Sequence, residues 1–246
     1  MSGGGTTSGR RNNVSAKANT TAASEVYKEF ADMSVASSSL AGFSYGEDAA
    51  ETVKWFEKNS NFRSLIAEMS VNDKVAFQNF SKGYFMYGQQ YKGFSKMTAE
   101  EQDWTRTYDK FLDKSEVNAN VKVVRLATAT FLFGKGKRTA TLEELKAMNG
   151  KVVTSKANLS AAAAKEGLSV GDLTKQVEYK IYIPKGSKGA GMYTGVDDTH
   201  KWGVKQREFM LNRDTRWQVG DTKWNDKRKI FETDLFFVEQ MPHDYS

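Results

Sequence analysis

A glutamine and a glutamate stand two residues apart at the start of an apolar strand, in the stretch KQREFMLNRDTRWQV (Lys205–Val219). Because side chains alternate along a strand, Gln206 and Glu208 should project to one face about 7 Å apart, while Phe209 anchors the strand from the other face. A carboxylate that enters a core is costly unless it is paired or used in chemistry. Beside a reacting centre, it stabilises developing positive charge. Glu208 is therefore the leading catalytic candidate, with Gln206 as its partner.

The composition excludes several other catalytic chemistries. The chain has no cysteine, which excludes a disulfide framework and thiolate metal sites. It has only two histidines, His200 and His243, so a multi-histidine metal site is nearly excluded and a histidine-based triad would have to use one of them. The polar loop around His200, DDTHKWG, favours a structural role for that residue. The basic stretch GKGKR (Gly134–Arg138) lacks the Gly-Lys-Ser/Thr ending of a phosphate-binding P-loop. We predict no metal site.

The charge balance suits an anionic ligand or partner. The net charge is +6 and the pI is about 9.2, which fits a dinucleotide or a nucleic acid. The charges are scattered, however, and solvated loops account for most of them. The sequence has no run of about 18 apolar residues, so we expect no membrane span. It also lacks the apolar segment of a signal peptide, so we expect a cytosolic protein or one delivered by another route.

The chain divides into a tail and one domain. Residues 1–24 are rich in Gly, Ser, Thr and Asn, with three basic residues and no acidic ones, which predicts a disordered basic tail. Residues 25–246 are predicted to form a single domain, with a helical part over 25–118 and a β part over 119–246. No internal repeat is visible.

Helical periodicity governs the first part of the domain. An apolar stripe recurs at i, i+3, i+4 and i+7, and its members are Phe62, Leu65, Ile66 and Met69. Two capping boxes predict helix starts, one formed by Ser70 with Asp73 and the other by Thr98 with Glu101.

A period of two governs the second part. VKVVRLATATFLFG (Val121–Gly134) predicts a strand. VEYKIYI (Val177–Ile183) alternates, so that Val177, Tyr179, Ile181 and Ile183 should face one way. Thr141–Gly150 predicts a short capped helix, and the alanine-rich stretch Ala161–Leu173 predicts another short helix with a turn. Helices followed by strands indicate an α+β fold with antiparallel sheets.

The Gln206-x-Glu208 pattern and the strand after it resemble the mono-ADP-ribosyltransferase family. EFMLNRDTRWQV stands where that family has E-x-L-L-P-x-G-T-x-F-x-V at the end of its active-site loop. The upstream stretch FSKGYFMYGQQYKGF resembles the family's Tyr/Gly-rich helix, and WFEKNSNFRSLIAEMS resembles the lead-in of phage-encoded members. The resemblance covers roughly residues 50–240. It implies N-terminal helices followed by a split antiparallel β-sandwich that grips NAD.

Two further marks of the family can be placed on the chain. Arg125, in VKVVRLATAT, stands where the family has an arginine that contacts the NAD phosphates. Ser160, in VVTSKANLSAA, matches the first serine of a Ser-Thr-Ser strand that orients the catalytic glutamate and supports the nicotinamide ribose. Ala161 and Ala162 replace the threonine and the second serine, and this departure predicts reduced efficiency.

The resemblance implies NAD as the substrate and a specific role for each residue. Breaking the bond between nicotinamide and ribose passes through an oxocarbenium-like state, which Glu208 would stabilise. The planar, permanently charged guanidinium of Arg125 suits the diphosphate. Gln206 would position the acceptor, and glutamine at that place goes with acceptors other than arginine. This chemistry requires no histidine, cysteine or metal.

Three functions stay open at this stage. The first is a mono-ADP-ribosyltransferase that modifies a host macromolecule, a protein side chain other than arginine, in the host cytoplasm, with a virion as one delivery route. The second is a weak or inactive module of the same fold, a virion or toxin component. The third is a nucleic-acid binder using the basic tail, which ranks last because the aromatic residues recur at helical core spacing.

Each site residue also has a simpler interpretation. Glu208 could be a surface residue paired with Arg207 or Arg213. Arg125 could be an ordinary charge on an edge strand. Ser160 could cap the alanine-rich helix predicted after it.

Overall fold

The computed structural model describes residues 49–82, 86–134, 136–163, 177–199 and 207–246. The predicted tail at residues 1–24 lies outside these ranges, as do His200 and Gln206. No helix within the described ranges is long and apolar enough to cross a membrane.

Helices occupy the described part of the chain before the first strand, as the periodicity predicted. They are α1 (Ala49–Asn59), α2 (Phe62–Glu68), α3 (Val71–Lys82), α4 (Met86–Lys92) and α5 (Ala99–Leu112), with a 3₁₀-helix at Phe94–Lys96. The apolar stripe of α2 is buried in the core. On α3, Phe77 and Phe80 stack on Tyr108 of α5 with ring centroids 4.0 and 3.9 Å apart.

Both predicted capping boxes are present. The Thr98 side chain accepts a hydrogen bond from the Glu101 amide, and the Glu101 carboxylate accepts one from the Thr98 amide. Before α3, the Ser70 hydroxyl accepts from the Asp73 amide at 3.1 Å, and the Asp73 carboxylate accepts from the Ser70 amide at 2.9 Å. These bonds satisfy amides that the first helical turn leaves unpaired, so each helix starts where the sequence predicts.

The β part forms an eight-stranded sheet within the described residues. Its strands are β1 (Val121–Ala127), β2 (Val152–Thr154), β3 (Leu159–Ala162), β4 (Val177–Ile183), β5 (Gly191–Tyr193), β6 (Glu208–Leu211), β7 (Thr215–Asn225) and β8 (Ile230–Gln240). The strand order is β2-β7-β8-β4-β1-β3-β6-β5. All pairs are antiparallel except β4 with β8, which is parallel. The predicted α+β class is confirmed.

The sheet is narrow at one place. β1 and β3 are joined through a single Cα pair, Val124 with Ala162, whereas β1 and β4 pair along seven positions. The sheet thus consists of two halves, β2-β7-β8-β4-β1 and β3-β6-β5, and the split expected from the family resemblance lies at this junction. β1 is an interior strand, so the interpretation of Arg125 as an edge-strand charge is wrong.

Two predicted elements differ from the structure. The first strand ends at Ala127 instead of Gly134, because residues Thr130–Phe133 form a short helix, α6, whose Gly134 cap has a φ of 81°. The alanine-rich helix predicted from Ala161 is wrong at its start, because Ala161 and Ala162 belong to β3. Pairing of β3 with β6 at four positions outweighs the helix propensity of alanine, which is a weak preference. The short helix α7 (Leu142–Lys146) starts at the predicted Thr141 capping box.

A cluster of charged and aromatic side chains holds the C-terminal segment against α5 and the turn between β6 and β7. We call it the C-terminal clasp; its members are Asp109, Asp113, Arg213, Asp214, His243 and Tyr245. Arg213 Nε and Nη2 donate to the Asp109 carboxylate at 3.0 and 2.8 Å. The Tyr245 hydroxyl donates to the same carboxylate at 2.9 Å. The clasp fixes the end of β6 relative to the helical part.

The clasp should make stability depend on pH through His243. Burial alone would lower the pKa of His243, but hydrogen bonds to Asp113 and Asp214 and the nearby Asp109 raise that pKa from 6.5 to about 9. Between these values the folded protein holds a proton that the unfolded chain has released. Protonated His243 therefore adds about 3 kcal/mol to the free energy of unfolding. This contribution is fully present below pH 6.5 and is lost as the pH rises through 9.

Urea unfolding of the wild type and of His243→Gln, below pH 6.5 and above pH 9, measures this loss. The difference in unfolding free energy between the two proteins should shrink as the pH rises. A difference that is the same at both ends would show that His243 does not carry the pH dependence.

Candidate active site

Glu208 opens β6 and lies in the interior of the protein. Glu208 is 3% exposed, and its cross-strand partner is Ala162 of β3. The residues after it, Phe209 to Leu211, are buried. The interpretation of Glu208 as a surface residue is therefore wrong, and Arg213 is engaged with Asp109 and Asp214 in the clasp.

The backbone just before Glu208 is not extended. Arg207 has a φ of 47°, in the left-handed region that few non-glycine residues adopt. The predicted alternation, which put Gln206 and Glu208 on one face, requires an extended Arg207 and so does not hold. Gln206 itself lies outside the described residues, and its role stays a prediction.

Each oxygen of the Glu208 carboxylate accepts a hydrogen bond from a hydroxyl group. Ser160 Oγ donates to Oε1 at 2.6 Å, and Thr194 Oγ1 donates to Oε2 at 2.9 Å. Ser160 lies on β3, which pairs with β6 on one side, and Thr194 follows β5, which pairs with β6 on the other. The two donors thus fix the plane of the carboxylate from both neighbouring strands.

Arg125 joins the same group through Ser160. Its Nη1 donates to the Ser160 carbonyl oxygen, so one serine contacts the guanidinium through its main chain and Glu208 through its side chain. Burial raises the pKa of Tyr91 on α4, and the positive charge of Arg125 opposes that rise. The structure therefore brings Arg125, Ser160 and Glu208 together. Ser160 lies inside β3, so its interpretation as a helix cap is wrong.

Packing against the helices sets the positions of β3 and β5. Gln90 on α4 exchanges two hydrogen bonds with Asn158, which directly precedes β3, at 2.6 and 2.9 Å. Tyr193 at the end of β5 stacks on Phe56 of α1, with ring centroids 4.4 Å apart. Helices and strands together thus fix both hydroxyl donors around Glu208.

Gly195 allows the chain after Thr194 to pass close to Glu208. A Cβ added at Gly195 would lie 2.6 Å from the Tyr193 hydroxyl and 3.1 Å from the Glu208 amide nitrogen. A larger residue would clash with the Tyr193 hydroxyl and crowd the Glu208 amide. Sequence reasoning missed both Thr194 and Gly195, because neither belongs to a motif that marks a site.

The comparisons with known proteins agree with this layout. The model of the ADP-ribosyltransferase exoenzyme family matches residues 86–237, more than half of the 246-residue chain. The chain belongs to the ADP-ribosyltransferase exoenzyme family. It is thus an NAD-dependent transferase that takes ADP-ribose from NAD. No curated protein matches the chain.

Solved structures show the same fold. C3stau2 from S. aureus, solved with NAD, is 22% identical, covers 78% of this chain and 96% of its own, and has a TM-score of 0.59. Plx2a, an ADP-ribosyltransferase toxin from Paenibacillus larvae, is 15% identical and has a TM-score of 0.64; the match covers 79% of this chain and 98% of Plx2a. The Clostridium limosum C3 exoenzyme is 14% identical and has a TM-score of 0.62; the match covers 77% of this chain and 94% of the exoenzyme.

Proposed function

We propose that the chain transfers ADP-ribose from NAD to a protein of a host cell, with Glu208 as the catalytic carboxylate. One observation carries the proposal: Ser160 contacts both Glu208 and Arg125. Three residues from distant segments, each matching a mark of the family, meet at the junction of the two half-sheets.

Glu208 would act on the sugar of NAD. When the bond between the nicotinamide nitrogen and C1′ of the ribose breaks, its electron pair leaves with nicotinamide and positive charge develops on the ribose. A carboxylate held beside that sugar stabilises the charge. The hydroxyls of Ser160 and Thr194 keep the carboxylate in one orientation, so it need not reorganise as the charge develops. The acceptor then forms the new bond to C1′ and gives up its proton.

Arg125 would bind the diphosphate of NAD. Its guanidinium is planar and permanently charged, which suits two adjacent phosphates. The bond from Arg125 to the Ser160 carbonyl fixes the guanidinium at the place where Glu208 is also held. Ser160 thus links the positive charge that would bind the diphosphate, on Arg125, with the negative charge that would stabilise the ribose, on Glu208.

Gln206 would select the acceptor. By resemblance, glutamine at this position favours a side chain other than arginine. The lead-in that resembles phage-encoded members favours a virion as the carrier and the host cytoplasm as the place of action.

The second candidate is a module of the same fold with little catalytic activity. Ala161 and Ala162 favour it, because both lie in β3 where the family pattern has hydroxyl side chains. Such a module would bind NAD and release nicotinamide very slowly.

Incubating the protein with labelled NAD and a host-cell lysate tests the proposal. We expect labelled proteins, release of nicotinamide, and attachment to a residue other than arginine by mass spectrometry. NAD binding without label and without nicotinamide release would favour the inactive module. Label on arginine would overturn the role given to Gln206 and leave the transferase proposal intact.

A further inference from the structure

We propose that Thr194 is a positioning residue for Glu208, the second of two hydroxyl donors that the reaction requires. This inference rests on the proposed function of Glu208. Nothing in the sequence marks Thr194; its role follows from the way its side chain and main chain contact Glu208.

Thr194 donates two hydrogen bonds to Glu208. Its amide donates to the Glu208 carbonyl at 2.9 Å, and its Oγ1 donates to Oε2 of the carboxylate at 2.9 Å. Thr194 is 1% exposed, so little water competes for either bond. The amide contact continues the pairing of β5 with β6 and sets the distance at which the side chain meets the carboxylate.

The second donor matters because Ser160 donates to Oε1 and not to Oε2. The terminal torsion of a glutamate is broad, so a carboxylate held at one oxygen can turn about its own axis. Ala162, the cross-strand partner of Glu208, carries no polar side-chain atom. Thr194 supplies the second donor from the opposite side, and with both bonds in place the carboxylate has one orientation.

The loop after Thr194 folds back on the main chain of that residue. The Thr194 carbonyl accepts from the Val196 amide at 2.8 Å and from Thr199 Oγ1 at 2.6 Å. Thr199 also donates to the Val196 carbonyl at 3.0 Å. These bonds close a tight turn directly after β5 and involve only the carbonyl oxygen of Thr194, so the contact of its hydroxyl with Glu208 does not pass through Thr199.

Thr194→Val and Thr194→Ser separate the hydroxyl from the shape of the residue. Valine keeps the shape and the amide bond but loses the donor, so kcat for nicotinamide release should fall roughly 10- to 100-fold, as expected for a hydrogen bond to a charged group. The KM for NAD should change less than about threefold, because a positioning role is felt mainly after substrate has bound. Serine keeps the donor and should restore kcat to within about threefold of wild type.

Thr199→Val is the matched control. Thr199 is also 1% exposed and belongs to the same turn, but its hydroxyl bonds lead to carbonyls and not to Glu208. It should lower the unfolding temperature and keep kcat within about twofold, since a neutral hydrogen bond contributes about 1 kcal/mol to stability. Should Thr194→Val fail to fold, Thr194→Ala also lacks the donor and must meet the same expectation.

Glu208→Gln, measured alongside, keeps the inference apart from the proposed function. If Glu208→Gln is inactive while Thr194→Val and Thr194→Ala match wild type, the positioning role of Thr194 is wrong and the proposed function stands. If Glu208→Gln retains wild-type activity, the proposed function itself fails. If Thr194→Ser and Thr199→Val lose as much kcat as Thr194→Val, Thr194 contributes only to the fold.

Discussion

Glu208→Gln should lower kcat for nicotinamide release by about a hundredfold or more, which corresponds to about 3 kcal/mol of lost transition-state stabilisation. Glutamine keeps the size of the side chain and an oxygen that accepts a hydrogen bond, but it carries no charge to balance the cationic sugar. NAD affinity should change little, because the sugar of bound NAD is not yet cationic. Nicotinamide release and NAD calorimetry on the same preparation measure both quantities.

A control variant separates loss of chemistry from loss of structure. Glu239→Gln removes a glutamate of β8 that pairs with Arg216 at 2.6 Å, and its activity should stay within about twofold of wild type, as for most surface changes. A buried carboxylate that is only structural would, when replaced, lower the unfolding temperature and NAD affinity along with the rate. Wild-type nicotinamide release by Glu208→Gln would remove this residue from the mechanism.

Signals that act within a few residues allowed prediction of much of the fold. The capping boxes at Thr98 and Thr141 need partners only three residues away, so sequence alone places them. The alternation from Val177 to Ile183 was equally local. The residues that it directs to one face are buried, namely Val177, Tyr179, Ile181 and Ile183, but Glu178 and Tyr182 of the other face are buried as well. In each case the physical cause lies inside the segment that shows the pattern.

Segments whose conformation depends on distant partners could not be predicted in this way. β3 is four residues long and ends in alanines, which locally favour a helix, yet its ladder with β6 decides its structure. The end of β1 at Ala127 is set by the turn into α6, where the Ala129 amide donates to the Arg138 carbonyl. The parallel pairing of β4 with β8 likewise joins segments about fifty residues apart in sequence.

The site shows the same division. Glu208 could be identified because a carboxylate entering an apolar strand is costly, whichever residues it meets later. Its contact with Thr194 depends on a turn between β5 and β6, and no residue type or spacing indicates it. The sequence also gave no sign of the left-handed conformation of Arg207. The prediction that Gln206 and Glu208 share one face assumed an extended chain there, so it does not hold.

The position of the site follows from the narrow junction of the sheet. β1 carries Arg125 and β3 carries Ser160, and these strands meet only at Val124 and Ala162. With so little main-chain pairing between the two halves, the bond from Arg125 to the Ser160 carbonyl helps to hold β1 and β3 together. The side chain that we propose for binding the diphosphate of NAD thus also links the two strands where the sheet splits.

The largest effect on stability should come from the clasp, through Arg213→Met. Arg213 and Asp109 are almost fully buried and form a two-pronged ion pair. Methionine has a similar length but leaves the Asp109 and Asp214 carboxylates in the interior without their guanidinium. Removing one partner of a buried pair typically costs about 3–5 kcal/mol, because the remaining charge stays desolvated. Urea unfolding at neutral pH measures the loss.

Arg216→Met is the control for Arg213→Met, because it removes an ion pair that is much more exposed. Arg216 stands three residues further on and pairs with Glu239, but its side chain is 28% exposed and that of Glu239 is 40% exposed, so its removal should cost less than about 1 kcal/mol. Burial, and not the presence of an ion pair, is therefore predicted to set the difference between the two variants. Equal losses for Arg213→Met and Arg216→Met would mean that the clasp does not stabilise the junction between α5 and the end of β6.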